Sequence, residues 1–259
     1  MAETKADNPT PVIPAATVVV FRNCPQGGPP QLLMLQRSQE MRFAGGAAVF
    51  PGGRIDPADH ALAAQLAPEA ADIADIAARI AAVRETLEEA GLAVGLAHPV
   101  SAADAIAARA LLLAEGMLAP VLDAFGWTLD LDSLVHFARW CPMRPGSFDT
   151  QFYLADLGTG AVDVAVDATE NTRLFWASAR DALAMADRGE ISVIFPTRRN
   201  LERLALFASH AEACAQSREI PPRLVTPHRE MRDGVEHLCI PEGMGYPVTA
   251  QPMASVRRG

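Results

Sequence analysis

The run Arg84-Glu85-Thr86-Leu87-Glu88-Glu89-Ala90-Gly91-Leu92 places three carboxylates and a guanidinium within six residues. At about 100° per residue on a helix, Glu88 lies about −60° and Glu89 about +40° from Glu85, while Ile76, Ile80, Val83, Leu87 and Ala90 gather near 180°. The acids therefore share one face and the core-seeking residues take the other. Like charges three and four residues apart cost a helix roughly 0.2–0.5 kcal/mol per pair, a conflict that a cation among them removes. Arg84 supplies one cation by reaching Glu88 at i,i+4. A hard divalent ion, which prefers carboxylate oxygens, would supply the other. The same spacing also describes the solvated outer face of an amphipathic helix, so the surroundings must decide.

Those surroundings hold phosphate-binding chemistry. Phe50-Pro51-Gly52-Gly53-Arg54-Ile55-Asp56-Pro57-Ala58-Asp59 reads as a turn whose adjacent glycines let backbone approach a ligand closely. Before it come Arg37-Ser38, then Arg42 and Gly46. Arg37 and Arg42 can present paired donors to phosphate or pyrophosphate oxygens. Ordinary surface ion pairs are the alternative reading.

Taken together, Gly53, Arg84-Glu85 and Glu88-Glu89-x-Gly91 resemble the Nudix box, G-x5-E-x7-R-E-U-x-E-E-x-G-U with U apolar. There are three departures: Asp59 stands where the pattern has Glu, Thr86 replaces an apolar residue, and residues 60–83 number 24 where the pattern has seven, an insertion of 17. The upstream R-S-x3-R-x3-G-x3-F-P-G-G is similar to the signature of the coenzyme A diphosphatase branch of that family, with Leu35 in place of the usual threonine. The branch's peroxisomal-type members also follow F-P-G-G-x-x-D with a long gap.

The resemblance implies an α/β fold, the Nudix α/β/α sandwich on a mixed sheet, here with helical insertions and a C-terminal extension. It implies Mg²⁺ or Mn²⁺ held by Glu85, Glu88, Glu89 and the Gly52 carbonyl, with Arg84 steadying a glutamate and Arg37, Arg42, Gly52 and Gly53 meeting the substrate. Glu170, on a later loop, is a further candidate ligand by position, and either Glu88 or Glu170 could be the base. The implied reaction is hydrolysis of a diphosphate bond in coenzyme A or acyl-coenzyme A, giving 3′,5′-ADP and a 4′-phosphopantetheine. Alternatives are another nucleoside diphosphate derivative (ADP-ribose, NADH, a dinucleoside polyphosphate) and a non-catalytic nucleotide-binding protein. Three mutually repelling carboxylates suit a pure binder poorly.

Elements must hold these residues in place. The 71–90 segment reads as a helix stopped by Gly91, with the alanine-rich insertion extending its approach. Residues 16–21 and 31–36 read as strands of a hairpin, and 133–141, 148–157 and 173–176 as further strands. Helices are expected at 101–118, 177–188 and 196–217. The domain reading is a loose arm at 1–14, a hydrolase domain at 15–218 with insertions around 60–75 and 101–118, and a proline-rich extension at 219–259. The insertions could form a flap over the substrate or a homodimer surface.

Half of the 259 residues are apolar, ample for a packed core. A net charge of −9 argues against a nucleic-acid-coating surface. The longest apolar stretch, 102–125, contains Asp104, Arg109, Glu115 and Asp123, so no membrane partner is expected. Four scattered cysteines without C-x-x-C, and an amino-terminal stretch without an apolar leader, point to reduced thiols in the cytoplasm. His228, His237 and Cys239 could be imagined as zinc ligands, but their spacing matches no common site.

Overall fold

The computed structural model describes residues 12–40, 44–142, 144–157 and 171–256. Among these residues, eleven strands and seven helices follow in chain order. The strands are β1 (Ile13–Arg22), β2 (Gln31–Arg37), β3 (Ala48–Val49), β4 (Gly52–Arg54), β5 (Val135–Trp140), β6 (Phe148–Asp156), β7 (Asn171–Ser178), β8 (Leu224–Val225), β9 (His228–Arg232), β10 (Val235–Cys239) and β11 (Ala250–Pro252). The helices are α1 (Pro57–Leu66), α2 (Ile73–Ala90), α3 (Ala102–Glu115), α4 (Leu118–Phe125), α5 (Ala179–Asp187), α6 (Phe195–Leu204) and α7 (His210–Glu219).

The first eight strands form one mixed sheet. β1 runs parallel to β6 along its whole length, from Ile13 opposite Phe148 to Phe21 opposite Asp156. Its other edge is divided: Ala15–Thr17 pair with β4, and Phe21 and Arg22 pair with β2. The expected hairpin is therefore confined to two residue pairs. β2 instead pairs with β7 from Gln31 to Arg37, with a register shift at Gln36/Arg37. β5 runs antiparallel to β6, and β8, from the C-terminal extension, is added parallel to β5.

Alternation along β1 splits the core in two. Ala16, Val18 and Val20 face α2 and its neighbours, packing with Ala77, Ile80, Ala81 and Leu87. Val19 and Phe21 face the opposite way, joining Trp140, Phe152, Leu201, Leu204 and Tyr246. Helices thus cover both faces of the sheet, the three-layer solution for a sheet apolar on both sides.

α2 is locally specified at both ends. The Asp72 side chain accepts from the Asp75 amide at 3.0 Å, and Gly91, at φ 70°, closes the helix with its N–H on the Leu87 carbonyl. Thr86, the departure from the apolar pattern, is fully buried and donates its hydroxyl to the Ala82 carbonyl at 2.7 Å. Its polar group is satisfied within the helix, which explains how it occupies an apolar position. α3 matches the expected helix closely, with Ser101 capping its start and Gly116 its end.

Two expectations fail. The single helix expected over 196–217 is two helices, because the chain turns at 205–209 and Ser209 starts α7 by accepting from the Glu212 amide. α4 was not expected at all. In the proline-rich extension β9, β10 and β11 form a separate three-stranded sheet, and Tyr246 is buried. No helix among the described residues is long and apolar enough to cross a membrane.

Candidate active site

β4 is only three residues long, but it sets the geometry. It lies antiparallel to β1 with Gly52 opposite Thr17 and Gly53 opposite Ala16. Gly52 has φ 154°, and a Cβ there would collide with the Ala16 carbonyl oxygen and come within 2.6 Å of the Thr17 Cα. A Cβ on Gly53 would overlap the Glu85 carboxylate. The paired glycines therefore let a strand edge press against the acidic face of α2, a contact no larger residue permits.

Glu89 is 4% exposed. Its Oε2 accepts from the Gly52 amide at 2.8 Å and its Oε1 from Asn171 Nδ2 at 3.3 Å. Burial raises its pKa to about 8; the Gly52 amide opposes that rise and Glu85 adds to it. Burial also raises Glu85 to about 7, with Arg84 pulling down and Glu88 pushing up. Glu88 has the most exposed side chain of the three, at 36%. Among the described residues these acids do not bring three ligand oxygens within 4.8 Å of one another. Two buried carboxylates held far above their ordinary range beside a glycine edge are nevertheless a donor set that fits a hard divalent cation, whose charge favours the anionic forms.

Arg84 is the hub of the acidic face. Its Nε and Nη2 donate to the two oxygens of Asp59 at 3.0 and 2.9 Å. Nη2 also donates to the Arg54 carbonyl and Nη1 to Glu85 Oε1, both at 2.9 Å. Glu88 lies at 3.6 Å and Asp56 at 3.5 Å. Burial works to lower the Arg84 pKa, but the bidentate Asp59 pair with Glu85 and Asp56 outweighs it and raises the value. Arg84 was expected to answer chiefly the helix glutamates; its principal partner is Asp59. The reason is the insertion: α1 returns Asp59, 1% exposed, against α2, where one of its oxygens also accepts the Asp56 amide at 2.8 Å. The shorter acid in the motif is thus a buried clamp.

Arg37 ends β2 opposite Asn171, at the register shift. Such irregularities re-aim side chains. Its Nε is buried without a hydrogen-bond partner among the described residues. Arg37 faces the Asn171 that holds Glu89, and its charge acts to lower the Glu89 pKa. The structure thus brings Arg37, Gly52, Gly53, Arg84, Glu85, Glu88 and Glu89 together. Arg42 and Glu170 lie outside the described residues.

Two contributors were missed by sequence reasoning. Asn171 bridges β7 to Glu89, and Arg109 of α3 donates to the Glu88 carbonyl at 2.8 Å and the Glu89 carbonyl at 3.4 Å. A cation on the last carbonyls of a helix is favourable. In the sequence, however, Arg109 is only a charge interrupting an apolar stretch.

No protein-family profile matches the chain. Among solved structures, a Nudix hydrolase from Alicyclobacillus acidocaldarius superposes with a TM-score of 0.67 at 28% identity, covering 80% of this chain and 96% of that one. A MutT protein from Methanosarcina mazei Go1 matches at TM-score 0.40 and 17% identity, over 75% of this chain and 94% of that one. An Ap4A hydrolase from C. elegans, solved as a binary complex, matches at 0.37 and 20%, over 69% and 88%. The first aligns over nearly its full length, and this chain carries a mixed sheet between helices. The chain has the Nudix fold and is a hydrolase.

Proposed function

We propose that this hydrolase cleaves the diphosphate bond of coenzyme A or an acyl-coenzyme A, releasing 3′,5′-ADP and the matching 4′-phosphopantetheine. The observation that carries the reading is the position of Arg37: a half-buried arginine whose Nε is buried and unused among the described residues, opposite the Asn171 that holds Glu89, at the head of the R-S-x3-R-x3-G-x3-F-P-G-G run. A bidentate donor so placed suits the oxygens of a diphosphate.

Glu85, Glu88 and Glu89, with the Gly52 carbonyl and Glu170, are the residues that would hold Mg²⁺ or Mn²⁺. When bound, such an ion neutralises phosphoryl charge and makes its water a better nucleophile. The chain's own residues do the rest. Arg84 and Asp59 keep Glu85 at the Gly53 edge, while the Gly52 amide and Asn171 fix Glu89. Arg37 and Arg42 draw the diphosphate toward the acids, and Glu88 or Glu170 takes the proton of the attacking water. That water adds to one phosphorus as the bridging oxygen leaves with the other product.

A product assay tests this. With Mg²⁺ present, coenzyme A, ADP-ribose, NADH and diadenosine polyphosphates are each supplied and the products resolved chromatographically. Coenzyme A should give 3′,5′-ADP at the highest kcat/KM of the panel. Faster turnover of any other member overturns the substrate assignment and leaves the hydrolase in place.

A further inference from the structure

The C-terminal ribbon gathers a second set of metal-ligating side chains. β9 and β10 are joined through Asp233-Gly234, both at positive φ, the combination a tight hairpin turn requires. That turn sets the register: Cys239 lies opposite His228, and His237 opposite Glu230. Residues two apart on a strand share a face, and residues directly opposite share it too. His228, Glu230 and Cys239 therefore converge, and one ligand atom from each lies within 4.8 Å of the others. Cys239 is a free thiol, 1% exposed, while His228 and Glu230 are exposed.

We infer that His228, Glu230 and Cys239 form a zinc(II)-class binding site on the C-terminal ribbon, separate from the carboxylate site on α2. The donor chemistry carries the choice of ion. A sulfur, an imidazole nitrogen and a carboxylate oxygen suit zinc and its borderline neighbours, whereas magnesium takes oxygen ligands alone. The thiolate and the carboxylate together balance a double positive charge. Three protein donors leave a fourth tetrahedral position for water. Glu230 is paired with Arg232 at 3.0 Å, but both side chains are exposed, and a pair in water contributes little. It can be exchanged for a metal bond. His237 turns its Nδ1 to the Val235 carbonyl at 2.9 Å and is not among the three. The trio differs from the His228, His237 and Cys239 set, which the spacing in the sequence does not support, because cross-strand register, not spacing along the chain, decides which side chains meet.

The test uses the full chain, stripped with a chelator and then kept in excess MgCl₂ so that the oxygen-rich site is filled. Titration with CoCl₂ should develop a thiolate-to-cobalt charge-transfer band that saturates near about one equivalent and is displaced by ZnCl₂. Cys239→Ser should abolish the band. His228→Ala, at an exposed position, should weaken cobalt binding at least about tenfold while Mg²⁺-dependent hydrolysis is retained. Absence of the band in the unaltered protein overturns the inference. So does a band that survives both substitutions, which would assign it to another thiol such as Cys214, whose Sγ lies 3.3 Å from His210 Nε2.

Discussion

Glu89 joins a buried carboxylate to two donors, and an amide of the same shape can still accept the Gly52 N–H while donating to Asn171 Oδ1, otherwise unpartnered among the described residues, once that side chain turns over. Glu89→Gln should therefore leave the fold intact, since Gln Oε1 can accept the Gly52 amide, yet lower kcat at least about a hundredfold by removing an anionic ligand. Steady-state rates near those of the unaltered enzyme would remove the metal-site assignment. Arg37→Ala should raise KM for coenzyme A about tenfold or more, and Arg37→Lys should not restore it, because a point charge does not reproduce a planar fork. An unchanged KM would detach this arginine from substrate binding. At this scale the glutamates and the glycine pair were legible in the sequence, because their spacing alone defines a helix face and a turn. The Asp59 clamp was not: it lies 25 positions from Arg84, and nothing local says that the intervening chain folds back.

α1 and α2 act as one unit through that clamp. Asp59→Ala would leave the Arg84 guanidinium buried with its bidentate partner gone, and should cost about 3 kcal/mol of unfolding free energy by urea titration. Glu85 would lose its guide, so kcat should fall as well. A protein of unchanged midpoint would show that Arg54, Asp56 and Glu85 suffice to hold Arg84. Protonation acts on the same pair of elements. In the metal-free protein the pKa values of Glu85 and Glu89, about 7 and about 8, are raised, so they contribute stability at acid pH that is lost as pH climbs through those values. Magnesium selects the ionised forms, and its stabilisation of the melting temperature should be larger at about pH 8.5 than at about pH 5.5. Equal shifts at both would place the ion elsewhere. α2 was legible to within two residues because its apolar periodicity and a terminal glycine mark it. The break between α6 and α7 was not, because residues 205–209 continue the apolar pattern and only Ser209 marks a new start.

For the whole molecule, the C-terminal extension is as integral as the sheet it completes. The Tyr246 hydroxyl accepts from Trp140 Nε1 at 2.8 Å and donates to Asn200 at 3.0 Å. Arg203 lies over the rings of Phe137 and Tyr246, at 4.0 and 5.3 Å from their centroids. A chain ending at residue 219 would uncover Trp140 and Phe137 and lose β8, and it should show no cooperative thermal transition by circular dichroism. A sharp transition in that truncated chain would make the extension an accessory. Its proline-rich composition marks it as an extension, but the register that adds Leu224 and Val225 to the sheet is a long-range pairing that no local pattern encodes.

That late-arriving strand has a consequence for biosynthesis. β1 leaves the ribosome ahead of the strands it pairs with, its parallel neighbour more than a hundred residues behind it and the aromatic plug at Tyr246 later still. Until the plug emerges, Trp140 and its surroundings stay wet, and the nascent chain offers a sticky sheet face to chaperones rather than a finished enzyme.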